Sequence, residues 1–303
     1  MVLFPKVLRI EPASKCNLAC IHCPTGTIEM ERGIMSLDVF QKILTEIKKH
    51  KENIKVIVLY HGGEPFLNKN FFKMVKEIKI VNENFYIKTV SNGTVLNDRI
   101  IEEIISGDID LIEFSLDGYS SKDSEKIRKK SNTKKIIDNI KKILEKKKKQ
   151  IKIKPKVQIC NTQFLLNKKN SSPPNTPDWI LEAFKNEDVS YRNFYAMQWP
   201  SMHEKELTEF DKILFSEDDK DYCDHVINTI TIRSDGAVVP CCYDLTTELN
   251  MGNIMNDSLE NIWNNSEYIR LRNSIKLKKY ESICKSCNVV RSPVYLLPKK
   301  DFL

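Results

Sequence analysis

Short apolar segments in this chain alternate with amphipathic ones, and the early apolar segments end in glycine or small polar residues. Residues 7–10 read as a strand. Ser36 then suits a helix N-cap, with Asp38 in the first turn and Leu37, Phe40, Leu44 and Ile47 recurring at helical spacing. Residues 55–61 read as a buried strand that runs into Gly62, Gly63, Glu64 and Pro65. A helix over 68–81 and a strand over 85–90 follow, ending in Ser91, Asn92 and Gly93. A helix over 98–106 and a strand over 111–116 come next, ending in Asp117 and Gly118. Strand, helix and strand in this order imply a parallel α/β layout. The polar residues gather at the C-terminal ends of strands, where α/β barrels place their sites. Taken one at a time, Gly-Gly, Asn-Gly and Asp-Gly are common turn dipeptides.

Cys16, Cys20 and Cys23 lie in one loop directly after the first strand. A structural zinc site is closed by four protein ligands. Three thiolates either borrow a distant ligand or keep one coordination position open. In a cubane iron–sulfur cluster they leave one iron without a protein ligand. The spacing resembles that of the radical S-adenosylmethionine (SAM) superfamily, and the order of the strand-end motifs behind it strengthens the likeness. The resemblance implies a 4Fe–4S cluster whose open iron is chelated by SAM, and reductive cleavage of SAM to a 5′-deoxyadenosyl radical that removes a substrate hydrogen. It implies that the backbone of Gly62, Gly63, Glu64 and Pro65 receives the SAM amino group. Ser91, Asn92, Ser115 and Asp117 match positions that contact the SAM carboxylate or ribose. His22 matches a position that packs near the adenine or the cluster; a solvated histidine is the alternative.

The whole chain sets outer bounds. Its 303 residues have room for one large domain or one and a half, and 41% hydrophobic with 29% charged content describes a soluble globular protein. No apolar run reaches membrane-spanning length, and Pro5 and Lys6 interrupt the only apolar start, so no signal peptide is expected. Nine cysteines without a secretory signal favour metal chemistry in a reducing cytoplasm over a disulfide framework. The net charge of +7 is concentrated over 122–156. There Ile136, Ile137, Ile140, Ile143 and Leu144 form an apolar stripe with lysines on the other side, which reads as a solvated helix face. Aromatics are not interleaved with arginine, so neither nucleic acid nor membrane is expected as a partner.

Six further cysteines follow: Cys160, Cys223, Cys241, Cys242, Cys284 and Cys287. Residues 229–240 read as a β-hairpin turning at Asp235 and Gly236, leading into Cys241 and Cys242. Cys284 and Cys287 form a two-ligand knuckle. Four thiolates from these elements suit either zinc or a 4Fe–4S cluster, and spacing alone favours zinc. This stretch, with Gly252, Asn253, Ile254 and 259–263, resembles the C-terminal extensions of radical SAM enzymes called SPASM and twitch. No cysteine follows Cys287, so the resemblance is to the shorter twitch form with one auxiliary 4Fe–4S cluster. It implies Cys223, Cys241, Cys284 and Cys287 as ligands. The expected fold is therefore α/β: a partial TIM-like (β/α)6 barrel over residues 1–200, its sixth strand over 189–197, and a small twitch domain of hairpin plus helix over 201–303.

Cys242 is left over. In sulfatase-maturing relatives a carboxylate follows the equivalent cysteine and acts as base; here the nearest carboxylate is Asp244. Cys242 reads as a ligand in place of Cys241, as a hydrogen donor to a substrate radical, or as a small buried residue. Cys160 shares a strand face with Gln158 and either lines the barrel or packs in the core. The loop over 167–175 leaves the active-site face as a lid or a plain excursion, before a helix capped by Thr176 with Pro177 at its first position. No GxGxxG fingerprint or P-loop is present.

These readings point to a radical SAM enzyme that oxidises a small polar molecule, such as a sugar or aminocyclitol alcohol. The auxiliary cluster would accept the electron, and a reductase, flavodoxin or ferredoxin would supply the first one. Asp244, His61 and Tyr195 are candidate bases by position. A peptide or protein maturase is an alternative, weakened by a chain that starts almost at the first strand. A radical epimerase with a cysteine hydrogen donor is another, and a zinc-binding scaffold is the non-enzymatic one.

Overall fold

The computed structural model describes residues 3–167 and 174–299. Strand β1 (Val7–Ile10) leads into the cysteine loop, which contains the two-residue strand β2 (Ala19–Cys20) and the single turn α1 (Pro24–Thr27). Then follow α2 (Leu37–Lys49), β3 (Val56–Val58), α3 (Phe71–Val81), β4 (Tyr86–Ser91), α4 (Asp98–Ser106) and β5 (Leu111–Ser115). Helix α5 (Ser121–Ile127), the short β6 (Arg128–Lys129) and α6 (Thr133–Lys149) connect to β7 (Lys156–Gln163), and α7 (Asp178–Ala183) connects to β8 (Ser190–Tyr195). The remaining chain forms β9 (Phe210–Leu214), α8 (Asp224–Asn228), β10 (Thr229–Ile232), β11 (Ala237–Val239) and β12 (Gly252–Asn253). It closes with α9 (Leu259–Trp263), α10 (Ser266–Lys276) and β13 (Val294–Pro298).

Strands β1, β3, β4, β5, β7 and β8 pair in parallel in that order, and helices cover one face. This is the mixed α/β, partial TIM-like barrel with six strands. Leu8, Ile10, Ile57, Ile87, Ile112, Phe114 and Ile159 pack in one core with Phe40, Ile43, Leu44 and Ile47 of α2 and with Ile136, Ile140 and Ile143 of α6. Each such side chain contributes about 1.5–3 kcal/mol when removed from water. Alternation along the strands sends the other set of side chains to the inner face. Ser36 caps α2 by accepting from Val39 N at 3.2 Å, as its position suggests.

Several local boundaries differ from the sequence pattern, and the strand expected over 55–61 narrows to Val56–Val58. The helix expected from residue 68 starts at Phe71, because Pro65–Leu67 forms a 3-10 turn whose Phe66 N–H donates to Glu64. The helix after the 167–175 loop is capped by Pro177, not Thr176; Thr176 Oγ1 instead accepts from Asn193 Nδ2 at 2.8 Å. The strand that carries Gln158 and Cys160 continues to Gln163. Most of the loop read as a lid lies outside the described residues. Among the described residues no helix is long and apolar enough to cross a membrane.

The C-terminal hairpin does not stand apart. Strand β10 pairs in parallel with β1, from Val7↔Thr229 to Ile10↔Ile232, and β11 and β12 extend the sheet antiparallel beyond it. The hairpin covers an edge of β1 that would otherwise present unpaired backbone groups. Ile230, Ile232 and Val238 join the same core as the barrel. We propose the division between the two parts at about residue 200, where the chain leaves β8.

Glu11 locks the parts together at the site. Its carboxylate accepts from Gly62 N at 2.8 Å and Ser234 N at 3.0 Å, and lies 4.0 Å from Arg233 Nε. Replacing Glu11 by alanine orphans two buried N–H groups and leaves Arg233 uncompensated. The Glu11→Ala chain is expected to lose about 3 kcal/mol of stability. Urea unfolding of the reduced, metal-free protein measures this; an unchanged midpoint would show that the contact carries no weight.

Candidate active site

The cysteine loop is shaped by backbone contacts. Ala13 bridges to Ile34, Met35 N donates to Pro12 O at 2.9 Å, and Cys20 pairs with Arg128 across β2 and β6. Gly26 lies against Cys20: a Cβ there would sit 2.5 Å from Cys20 O. At Gly63 a Cβ would sit 2.3 Å from Lys15 O and 2.4 Å from Ala13 O. Gly63 is thus needed for the loop backbone to pass, whereas a Cβ at Gly62 would meet the Glu11 carboxylate at 2.8 Å, and Glu64 N donates to Lys15 O at 2.9 Å. The position of Gly26 carried no sequence signal, because its partner is backbone.

Cys20 is buried, and Cys16 and Cys23 are half-buried. Burial pushes the Cys20 thiol up to about 12, opposed mainly by the Arg128 guanidinium. Burial also raises Cys16. Asn92 Nδ2 approaches Cys16 Sγ at 3.7 Å. Among the described residues no three His, Cys, Asp or Glu side chains are grouped to hold a single metal ion. Three soft thiolate donors, a neighbouring cation and an amide directed at sulfur suit an iron–sulfur cluster.

The strand-end residues anticipated as SAM contacts divide into two groups. Glu64 is buried and accepts from Phe66 N, from Ser91 Oγ at 3.0 Å and from Asn92 N at 2.7 Å. Burial raises its carboxyl to about 7 against these hydrogen bonds. Ser91 and Glu64 therefore brace the loop ends, while Asn92 also bonds Asn17 and faces Cys16. Asp117 is fully buried: Oδ2 lies 2.7 Å from Arg128 Nη1 and 3.7 Å from His22 Nε2, and Oδ1 accepts from Thr162 N at 3.0 Å. His22 stands edge-on to Phe164 with ring centroids 5.8 Å apart, and burial lowers its pKa. Ser115 remains partly exposed at the end of β5. Arg128, which the motif reading missed, is a cation beside Cys16 and Cys20. An arginine following a short helix had no pattern to mark it; only pairing of β6 with β2 brings it there.

The second cysteine set forms within the main core. Cys223, Cys241, Cys284 and Cys287 are buried beside Val226, Tyr268, Tyr280 and Ile283. Burial raises all four thiols, and each thiol feels at least one other of the set or Cys242. Cys242 diverges from its neighbour: its Sγ lies 3.7 Å from His225 Nε2, and its strongest charged neighbour is Arg9 on the inner face. Asp244 has both oxygens engaged, accepting from Glu248 N and Leu249 N at 2.9 Å each. His61 Nε2 faces the Asp244 carbonyl at 3.2 Å, and burial lowers its pKa to about 4. Tyr195 alternates with Arg192 and Phe194 and stands edge-on to Tyr295 on the outer side.

The family model described as the radical SAM superfamily matches residues 10–155, and a model described as an iron–sulfur cluster-binding domain (SPASM) matches residues 223–288. The chain belongs to the radical SAM superfamily. It carries a SPASM-type domain on its C-terminal side, and its cofactors are a 4Fe–4S cluster, SAM and auxiliary iron–sulfur. Among curated relatives, it is 38% identical over 112 residues to a tungsten-containing aldehyde ferredoxin oxidoreductase cofactor-modifying protein of Pyrococcus furiosus, covering 37% of this chain and 31% of the relative. The matches span less than half the length of the first curated relatives. The fold matches BtrN in complex with AdoMet and 2-DOIA at TM-score 0.61 and 16% identity, covering 95% of this chain and 94% of BtrN. It matches Streptococcus suis SuiB bound to precursor peptide SuiA at TM-score 0.62 and 16% identity, covering 94% and 77%. At that identity the likeness is one of fold.

In this radical SAM barrel the inner face is polar and charged. Lys88 of β4 lies 2.7 Å from Glu113 of β5, and Arg192 of β8 lies 3.7 Å from the same carboxylate. Cys160 pairs with Ser115 in register, on the inner face rather than the helix-covered one. Burial, and then Glu113, push its thiol up to about 12. Arg9 lies over the Tyr60 ring at 5.9 Å. Charged residues in the middle of otherwise apolar strands were the available signal for Arg9, Lys88 and Glu113.

Proposed function

We propose that this protein is a radical SAM dehydrogenase of a small polar alcohol, with Cys16, Cys20 and Cys23 holding the SAM-binding cluster and Cys223, Cys241, Cys284 and Cys287 holding one auxiliary cluster. The carrying observation is the division of Cys241 and Cys242. Four buried thiols share the core, so a cluster held there would have protein ligands throughout and would suit electron transfer. The reacting chamber is then the inner face between the two cysteine sets. When bound, the cluster and SAM supply a strong hydrogen-abstracting radical and the auxiliary centre supplies an electron acceptor.

The chain's own residues do the rest. Gly63 lets the cysteine loop approach the strand end, with Gly62 N and Glu64 N held by Glu11 and Lys15. Arg128 offers its guanidinium beside Cys16 and Cys20, where it would accommodate the carboxylate of SAM. His22 and Phe164 form an apolar wall beside it. Among the candidate bases, Asp244 is engaged by backbone N–H groups and Tyr195 faces outward. Glu113 takes that role: it is buried on the inner face, and Lys88 holds its orientation.

A second reading is favoured by Cys160. Its thiol stays protonated at neutral pH on the inner face, as a hydrogen-atom donor requires. That arrangement supports epimerisation.

The test is anaerobic reconstitution followed by incubation with SAM, dithionite and panels of sugars, cyclitols and peptides. Substrate-dependent 5′-deoxyadenosine with a carbonyl product is the expected result. Epimer carrying solvent deuterium would replace dehydrogenation by the second reading. Deoxyadenosine that appears only with peptides would overturn the small-alcohol assignment.

A further inference from the structure

Arg9 is 7% exposed and has no carboxylate within ion-pair distance among the described residues. Its one hydrogen bond is long, Nη1 to Thr231 Oγ1 at 3.4 Å, and its Nε has no partner. Glu11, two residues along the same face, is already engaged by Gly62, Ser234 and Arg233. Glu113 is held by Lys88 and Arg192. An uncompensated buried guanidinium is strongly unfavourable, and arginine cannot relieve this by deprotonating. Its surroundings are Tyr60, Thr231, Cys242 and His225, all on the inner-face side of the sheet. The charge sits between the cysteine loop at one end of β1 and the hairpin that leads to Cys241.

We infer that Arg9 binds an anionic group of the substrate, a phosphate ester or a carboxylate, in the inner chamber. The guanidinium fork matches either group bidentately. The Thr231 hydroxyl and the Tyr60 ring border the same position. This deepens the reading above, on whose chamber it rests. It narrows the substrate from any polar alcohol to one that carries negative charge, and it disfavours a free aminocyclitol, whose ammonium would face the guanidinium.

Calorimetric titration of the reconstituted protein with inorganic phosphate and with acetate, at fixed ionic strength, tests this. One phosphate or acetate per chain is expected, bound at least tenfold more weakly by Arg9→Gln and to an intermediate degree by Arg9→Lys. The preferred anion distinguishes the phosphate ester from the carboxylate. The double variant Lys148→Gln/Lys149→Gln, on the basic helix, is expected to bind as the wild type does. Iron content and visible spectrum report whether each variant is folded, and Arg9→Lys carries the test if Arg9→Gln is not. Equal affinity in Arg9→Gln or in Arg9→Lys, or no binding of either anion by the wild type, would overturn the inference. A neutral cyclitol oxidised equally by wild type and Arg9→Gln sinks this inference and leaves the dehydrogenase. Arg9-dependent anion binding with no dehydrogenated product sinks the dehydrogenase and leaves this inference.

Discussion

The Cys16→Ala protein is expected to emerge from anaerobic reconstitution with about four irons instead of about eight, and to form no 5′-deoxyadenosine above background, a loss of at least roughly 10³-fold. Two thiolates of the loop, Cys20 and Cys23, remain, but a cubane held by two leaves half its corners to solvent. The folded chain should survive the change, because Cys16 is half-buried and the Asn92 amide approaches its sulfur only to 3.7 Å. The companion variant Cys223→Ala separates the two centres. It too should lose about four irons, yet retain reductive SAM cleavage, because Cys223 belongs to the second cysteine set and not to the loop. Iron analysis, visible spectra and deoxyadenosine formation read both variants. A Cys16→Ala protein that still cleaves SAM reductively would remove the assignment of the loop as the SAM-binding centre.

The second large effect is at Arg128. Its guanidinium lies 2.7 Å from the fully buried Asp117 carboxylate, and its backbone pairs with Cys20. Arg128→Ala leaves Asp117 buried without a cation, and breaking such a pair costs about 3–5 kcal/mol. It also removes the positive charge beside Cys16 and Cys20. Loss of SAM binding is expected together with the stability loss. Arg128→Lys should recover part of both, and Asp117→Asn/Arg128→Met should be more stable than Arg128→Ala.

The pH dependence has a definite sign. Burial draws the Asp117 carboxyl upward, but Arg128 and His22 more than offset this and hold it below the usual carboxylate range. A depressed folded pKa gives stability that is present above the ordinary carboxylate pKa and lost as pH falls through the folded value. Without Arg128 the buried carboxylate gains by protonation. The stability deficit of Arg128→Ala should therefore shrink as pH falls from 7 towards about 4. Urea unfolding of the metal-free chains measures it; a deficit independent of pH would contradict the pairing.

Much of the architecture was present in local pattern. The helix at 98–106 agrees with α4 residue for residue, and Ser36 caps α2. The six parallel strands follow from apolar runs that stop at turn residues. The two cysteine groups were likewise visible by spacing, because a metal site built from one loop or one knuckle records its geometry in the intervals between ligands.

The amino-acid sequence by itself determined the order of strands and helices, the two groups of thiols and the strand ends at which they meet. Those features arise from period, capping and spacing, which are properties of neighbouring residues. Only the tertiary structure decided that β10 covers the open edge of β1, that Arg128 faces Asp117, that Asp244 is held by its own turn, and that Cys160 and Arg9 share the inner face. Each of these depends on which segment pairs with which across tens to hundreds of residues. Parallel register and alternation then choose the face a side chain occupies, and no local interval in the chain encodes that choice.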